Sequence, residues 1–158
     1  LAHIWYDETM DEQQLDSLAE GDMFIIPTLI TNMKFFEVMK ERGWDRSVLD
    51  STSLLNEISR LHLAGVKLLA GTDPPNLGIN HGDDLVTELE LLVTAGLSPT
   101  EALRCATSNV AIAFGLDNLG ILSEGKLADM VLVEGDVSQN ISQLRTIKHV
   151  WKAGRLVE

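Results

Sequence analysis

Apolar positions follow two rhythms along this chain. Leu15, Leu18 and Ala19 recur at helical spacing behind Thr9 and Glu12, a capping-box pairing, and Gly21 offers a left-handed stop. Directly after it, Met23, Phe24, Ile25 and Ile26 form an unbroken apolar run closed by Pro27 and Thr28, which predicts a strand buried on both faces of a parallel sheet. The order then repeats. Phe35, Phe36, Val38 and Met39 mark a short helix ending near Gly43, and a second helix begins after Asp50, runs through Leu54, Leu55, Ile58 and Leu61, and stops at Gly65. Val66 to Ala70 then predicts another buried strand, which delivers Gly71, Thr72 and Asp73 to its C-terminal end, and Pro74 and Pro75 keep the following loop rigid and non-helical.

Leu85, Leu89, Leu92 and Val93 define one helical face before Gly96. Ser98, Pro99 and Glu101 then combine an N-cap, an N1 proline and a capping-box glutamate, the strongest local signal in the chain. Asn109 is placed to cap a further short helix over residues 110–114, which Gly115 ends. Beyond Gly120 the period changes: Met130, Val131, Leu132 and Val133 predict a strand, as do residues 147–151, and Ala153 with Gly154 predicts a tight reversal into Leu156 and Val157. The expected fold is therefore α/β over residues 1–118, followed by a small antiparallel β unit over residues 119–158.

Composition narrows the partners. At 158 residues, 45% hydrophobic and 23% charged, the chain is ordinary for a single globular unit with a real core. Its formal charge of -12 repels phosphate backbones and anionic headgroups, so nucleic acid and membrane surfaces are excluded as expected partners. The longest apolar candidate, residues 23–30, is far short of the roughly 18 residues a spanning helix needs and contains a proline. The single cysteine, Cys105, rules out an intrachain disulfide and is compatible with a reducing, cytoplasmic compartment. The chain starts at Leu1 without an initiator methionine, and the expectation is the C-terminal part of a longer protein.

The chemistry-bearing residues are few. Asp73 at the C-terminal end of a buried parallel strand faces the crevice where α/β folds place ligands; alternatively it begins the next turn. His3 occupies an equivalent place if residues 1–5 are a strand, although a lone histidine is more often structural than a ligand. His81, in the loop that follows Asp73, either approaches a substrate or caps the next helix. His62 and His149 fit solvated or structural roles, as do the acidic pairs Asp7, Glu8 and Asp11, Glu12 at a helix start. No nucleophile elbow, dinucleotide fingerprint, P-loop or H-E-x-x-H motif is present.

Several of these words together resemble the metal-dependent amidohydrolases, especially the imidazolonepropionase-like and Xaa-Pro dipeptidase-like branch. They are Ile26-Pro27-Thr28-Leu29, Ala70-Gly71-Thr72-Asp73, and His81-Gly82 leading through Leu85 to Glu88-Leu89. They continue in Ala95-Gly96-Leu97-Ser98-Pro99-Thr100-Glu101-Ala102-Leu103-Arg104, Ala106-Thr107-Ser108-Asn109, and the run from Gly120 through Gly125-Lys126-Leu127-Ala128-Asp129 to Leu132.

The resemblance implies the C-terminal part of a (β/α)8 hydrolase barrel over residues 1–118, and strands of a β-sandwich over residues 119–158. A whole barrel takes about 250 residues, more than this chain holds. It further implies hydrolysis of a carbon-nitrogen bond in a small-molecule substrate, with one or two divalent metals, commonly zinc. Asp73 matches the family's eighth-strand aspartate, a metal ligand and catalytic proton shuttle. His3 matches the sixth-strand histidine ligand, and His81 is expected to bind substrate. Two departures stand out: Ile4 follows His3 where the family usually has glycine, and no His-x-His pair occurs in the chain. A half-complete site implies weak metal binding by this chain alone, and strand edges that further barrel strands should cover imply self-association or pairing with an N-terminal portion. The rival reading is a non-catalytic remnant or interaction module on the same scaffold.

Overall fold

In the computed structural model, which describes residues 1–4, 9–43 and 50–157, the first buried apolar run is strand β1, Phe24–Ile25. It pairs in parallel with β2, Lys67–Leu68, in the register Phe24 opposite Lys67 and Ile25 opposite Leu68. On the other side of β1, Ala2 forms a parallel bridge to Ile26, and the amide of His3 donates to the Ile26 carbonyl at 2.9 Å. Three parallel chain segments thus lie side by side with the Ile26 segment in the middle, and all three run out at the same edge. Trp5, Asp7 and Glu8, which the sequence assigns to a strand end and a helix start, fall outside the described residues.

Helices cover this sheet. Helix α1 spans Glu12–Glu20, and its capping box is Asp11 with Gln14 rather than Thr9 with Glu12. The reason lies upstream: Glu57 accepts the Met10 amide at 2.9 Å and Arg60 donates to the Met10 carbonyl, so the chain before Asp11 is held in place and the first free turn begins after it. Gly21 is extended (φ −79°, ψ 169°), not left-handed, because the chain continues straight towards β1 instead of reversing.

Helix α2, Leu29–Glu41, starts immediately behind Thr28, well before the aromatic pair that predicts it. Helix α3, Ser51–Leu63, is capped by Asp50, whose side chain accepts from the Ser53 amide, and it buries Leu54, Ile58 and Leu61. These three meet Ile4, Ile25, Leu29, Leu68, Leu89 and Leu92 in one continuous core. Burying a side chain of this size stabilises by roughly 1.5–3 kcal/mol, so the cluster fixes the helices on the sheet.

After β2 the chain makes a short 3-10 turn, Asn76–Gly78, and then forms α4, Asp83–Thr94. Helix α5, Pro99–Cys105, has the predicted capping box of Ser98 with Glu101 and proline in its first turn. Helix α6 is Ser108–Ala113, and Asn109 does not cap it: its amide instead donates to the Leu68 carbonyl at 3.2 Å, satisfying an acceptor on the free side of β2. Among the described residues, no helix is long and apolar enough to cross a membrane.

The last segment forms an antiparallel sheet of β3, Met130–Val133, β4, Ile147–Lys152, and β5, Arg155–Val157, in that order. Asp129 clasps the β4–β5 reversal by accepting from the Ala153 amide at 2.7 Å and from the Lys152 ammonium, and these bonds, Lys152 first, hold its carboxyl below the usual aspartate range. The aspartate of the word Gly125-Lys126-Leu127-Ala128-Asp129 is thus a turn clamp. Gly120 has its own cause: at φ +84°, a Cβ would sit 2.7 Å from the Ala111 Cβ and 2.9 Å from the Thr107 carbonyl. The whole is a mixed α/β fold.

Candidate functional site

At the edge where the parallel segments run out, His3, Thr28 and Asp73 come together. Each has a left-handed backbone, with φ of 63°, 50° and 53°. Such conformations cost a non-glycine residue of order 1–3 kcal/mol and persist where the surroundings impose them, as functional sites often do. The Nε2 of His3 lies 3.9 Å from Oδ2 of Asp73, and both side chains are about half exposed. Residues 70 positions apart therefore face each other across the ends of the sheet.

The hydrogen bonds around the pair set its chemistry. The Thr28 hydroxyl stands 2.7 Å from the Pro27 carbonyl and 2.9 Å from His3 Nδ1; where it donates to Pro27, Nδ1 carries the proton of the second bond. Across the ring, Nε2 faces the Asp73 carboxylate. On the other side, Asn76 donates its side-chain amide to Oδ2 of Asp73 at 3.1 Å, and its backbone amide bonds the Asp73 carbonyl at 3.2 Å. Thr31 reaches from α2 to the Thr72 carbonyl at 2.6 Å and ties the helix to the strand end. Gly71 lets that strand end approach its neighbour, since a Cβ there would stand 2.5 Å from Ile26 Cγ2.

His3, Asp73 and Asn76 line a cavity of about 400 Å³, whose apolar walls are Ile4, Phe35 and Leu77. His81 is not among its lining residues. It lies on an exposed loop held by Asp84, which accepts from the Asn80 amide at 2.5 Å and from Lys34. Among the described residues no group of three or more histidine, cysteine or acidic side chains converges to hold a metal ion.

One participant enters the sequence analysis only as part of a family word, with no role of its own. Glu88 is completely buried, and its two carboxylate oxygens each accept a backbone amide at the start of α2, Leu29 and Ile30, both at 2.9 Å. Burial pushes its carboxyl up to about 7 against the opposing effect of these two bonds. Its sequence signal is a charged residue set into the apolar stripe of Leu89 and Leu92.

A second cavity, of about 350 Å³, opens at the opposite end of the strands, beside Phe24, Lys67, His62, Glu101 and Cys105. Burial pushes the Cys105 thiol up to about 11, so it has little thiolate character at neutral pH.

Sequence comparison decides the family: the model for the amidohydrolase family matches residues 6–157. The chain belongs to the amidohydrolase family. This amidohydrolase chain is 26% identical to an ochratoxinase of Aspergillus niger over 170 aligned positions, covering 99% of the chain and 33% of that protein. An imidazolonepropionase of Deinococcus deserti is 31% identical over 106 positions, covering 62% of the chain and 25% of that protein. Among solved structures, a Xaa-Pro dipeptidase with methionine bound in its active site superposes with a TM-score of 0.76 at 25% identity, covering 94% of the chain and 38% of the dipeptidase. The amidohydrolase chain thus spans about a third of the length of the relatives it matches.

Proposed function

We propose that the chain carries part of the active site of a metal-dependent hydrolase of carbon-nitrogen bonds, with His3 and Asp73 as metal ligands. The observation that carries this reading is the pairing of His3 Nε2 with Asp73 Oδ2 at 3.9 Å, on strained backbone at the ends of parallel strands. The donor set suits a divalent cation. A neutral imidazole nitrogen and a carboxylate oxygen are common zinc ligands, and two such ligands in a tetrahedral shell stand roughly 3.3 Å apart, within reach of small rotations of these half-exposed side chains. A histidine ligand also typically engages its other ring nitrogen with a fixed partner, and His3 Nδ1 lies 2.9 Å from the Thr28 hydroxyl.

A cation bound there would supply Lewis acidity towards a carbonyl and an acidified water. The chain's own contribution is distinct. Asn76 holds one oxygen of Asp73, and the other bears no hydrogen bond among the described residues, so Asp73 can take a proton from the attacking water and return it to the leaving nitrogen. Ile4, Phe35 and Leu77 offer an apolar wall to one flank of a substrate. By similarity to the relatives, that substrate is a small cyclic amide, a dipeptide with C-terminal proline or an acyl-amino acid, and His81 contacts it from the loop after the cavity.

Residues 1–118 form part of a (β/α)8 barrel in this reading, and residues 119–158 strands of a β-sandwich. The separate parallel and antiparallel sheets support that division. Further metal ligands come from outside the chain. Pairing with that portion, or self-association, covers the apolar side chains that β3 and β5 expose, including Val131 and Leu156.

The test is hydrolysis by the intact protein of these three amide classes, with and without chelator. The expected result is activity that chelation abolishes and zinc restores. Chelator-insensitive hydrolysis, or wild-type turnover in His3→Asn and Asp73→Asn, would overturn the proposal.

A further inference from the structure

The start of α2 divides two tasks in an unusual way. A helix leaves its first amides without intrahelical partners, and a threonine at the N-cap normally turns its hydroxyl back to satisfy one of them. Thr28 is the N-cap of α2, yet its side chain makes no cap hydrogen bond. Its hydroxyl faces the other way, to the Pro27 carbonyl and His3 Nδ1. One amide it could have served, that of Ile30 in the second helical position, goes instead to Glu88 from α4, which takes the Leu29 amide on its other oxygen. A buried carboxylate with no countercharge among those partners is costly to maintain, so a purely structural account gains little from choosing it over a self-capping threonine.

We infer that Glu88 is a positioning residue for His3: by capping α2 from outside, it frees the Thr28 hydroxyl to accept from Nδ1 and so keeps Nε2 facing Asp73. The chain of contact runs from Glu88 to the first turn of α2, from that turn to the left-handed Thr28, and from its hydroxyl to the imidazole. Without the carboxylate, Thr28 can relax to an ordinary N-cap, and its hydroxyl swings to the helix amides. His3 then loses the acceptor that fixes its tautomer. The importance of this for turnover rests on the proposed role of His3; the tautomer itself does not.

The experiment uses the full chain labelled with 15N-histidine, metal-free in chelator, with the ring nitrogens read from long-range proton-nitrogen spectra and His3 assigned by its loss in His3→Gln. Wild-type His3 is expected in the Nδ1–H form. Both Thr28→Val and Glu88→Gln are expected to move it towards the Nε2–H form that free imidazoles favour in water. Leu92→Ala, which opens the core one turn further along α4, lowers the melting temperature and leaves the tautomer alone. In the intact enzyme, Thr28→Val and Glu88→Gln each lower turnover roughly 10- to 100-fold, the range typical for partners that orient a metal ligand.

An Nδ1–H imidazole that survives in Glu88→Gln, with a melting loss like that of Leu92→Ala, would make Glu88 structural and overturn the inference. Should Glu88→Gln not fold, Glu88→Asp keeps the charge with a shorter reach and is read the same way. Thr28→Val decides the remaining link: retention of the Nδ1–H form there overturns it too. Because the tautomer is read without metal or substrate, absent hydrolysis defeats the functional reading alone, whereas a wild-type Nε2–H spectrum defeats this inference alone.

Discussion

Two histidine-carboxylate pairs stand at opposite ends of the parallel strands, each at 3.9 Å and each beside a cavity of similar size. His3 with Asp73 lies at the C-terminal rim, and His62 with Glu101 at the other end. Distance and cavity volume do not separate them; the backbone beneath them and the capping role of Glu101 do. Glu101 is already engaged: Oε2 accepts from both the Ser98 amide and the Ser98 hydroxyl, and these bonds hold its carboxyl below the usual range. His62 sits in the last turn of α3, where a cationic side chain suits the helix dipole. At the rim, by contrast, the backbone is forced into left-handed conformations, one imidazole nitrogen is tied down and the other is left facing a carboxylate. A pair already engaged in capping a helix is a poor candidate for chemistry, and a pair held by strained backbone is a better one.

The largest expected effect tests that contrast directly. In the intact enzyme, Asp73→Asn should lower turnover by roughly a thousandfold, about 4 kcal/mol of transition-state stabilisation, with the melting temperature nearly unchanged. Glu101→Gln should leave turnover at the wild-type level. Steady-state kinetics with thermal melts measures both, and equal losses from the two variants would erase the distinction between the ends.

Next in size is the pH dependence of the rim's buried support. The Glu88 carboxyl is raised by burial from 4.5 to about 7, so its contribution is fully present below pH 4.5 and is lost as pH rises to 7. Relative to Glu88→Gln, the wild-type chain should therefore lose up to about 3 kcal/mol between pH 4.5 and 8. Urea denaturation of both across that range measures it, and parallel pH profiles would show that the carboxyl is not raised.

Smaller effects sharpen the other end. Ser98→Ala removes the acceptor of a helix cap and should cost about 1 kcal/mol, visible in denaturation and silent in turnover. Smallest of all, Cys105 should react slowly with iodoacetamide in the native protein and rapidly in urea, since burial keeps it a thiol. Rapid native labelling would mean that this end opens more than its packing implies.

What the sequence discloses divides along the line between local and long-range forces. The Ser98 and Glu101 box and the Asp50 cap are legible because each is settled within one helical turn. Thr9 with Glu12 misleads because Asp11 and Gln14 offer the same spacing, and the choice between them is made by Glu57 and Arg60, some fifty residues away. Asn109 fits a cap in sequence, but the Leu68 carbonyl on a neighbouring strand takes its amide. His3 and Asp73 can be suspected from their places after apolar runs, since parallel strands gather their ends at one edge. Glu88 is hidden because a glutamate on a helix ordinarily signals solvent, and only the tertiary position of α2 supplies the amides that let it stay inside.

The left-handed trio also sets a limit on improving this molecule. Glycine at position 3, 28 or 73 would relax a backbone conformation that L-residues resist, and would raise thermal tolerance at little geometric expense. Each such exchange would delete an imidazole, a hydroxyl or a carboxylate from the rim. Selection for heat resistance and selection for the proposed activity therefore pull these three positions in opposite directions, and a sturdier descendant with glycine there would be expected to have given up the chemistry.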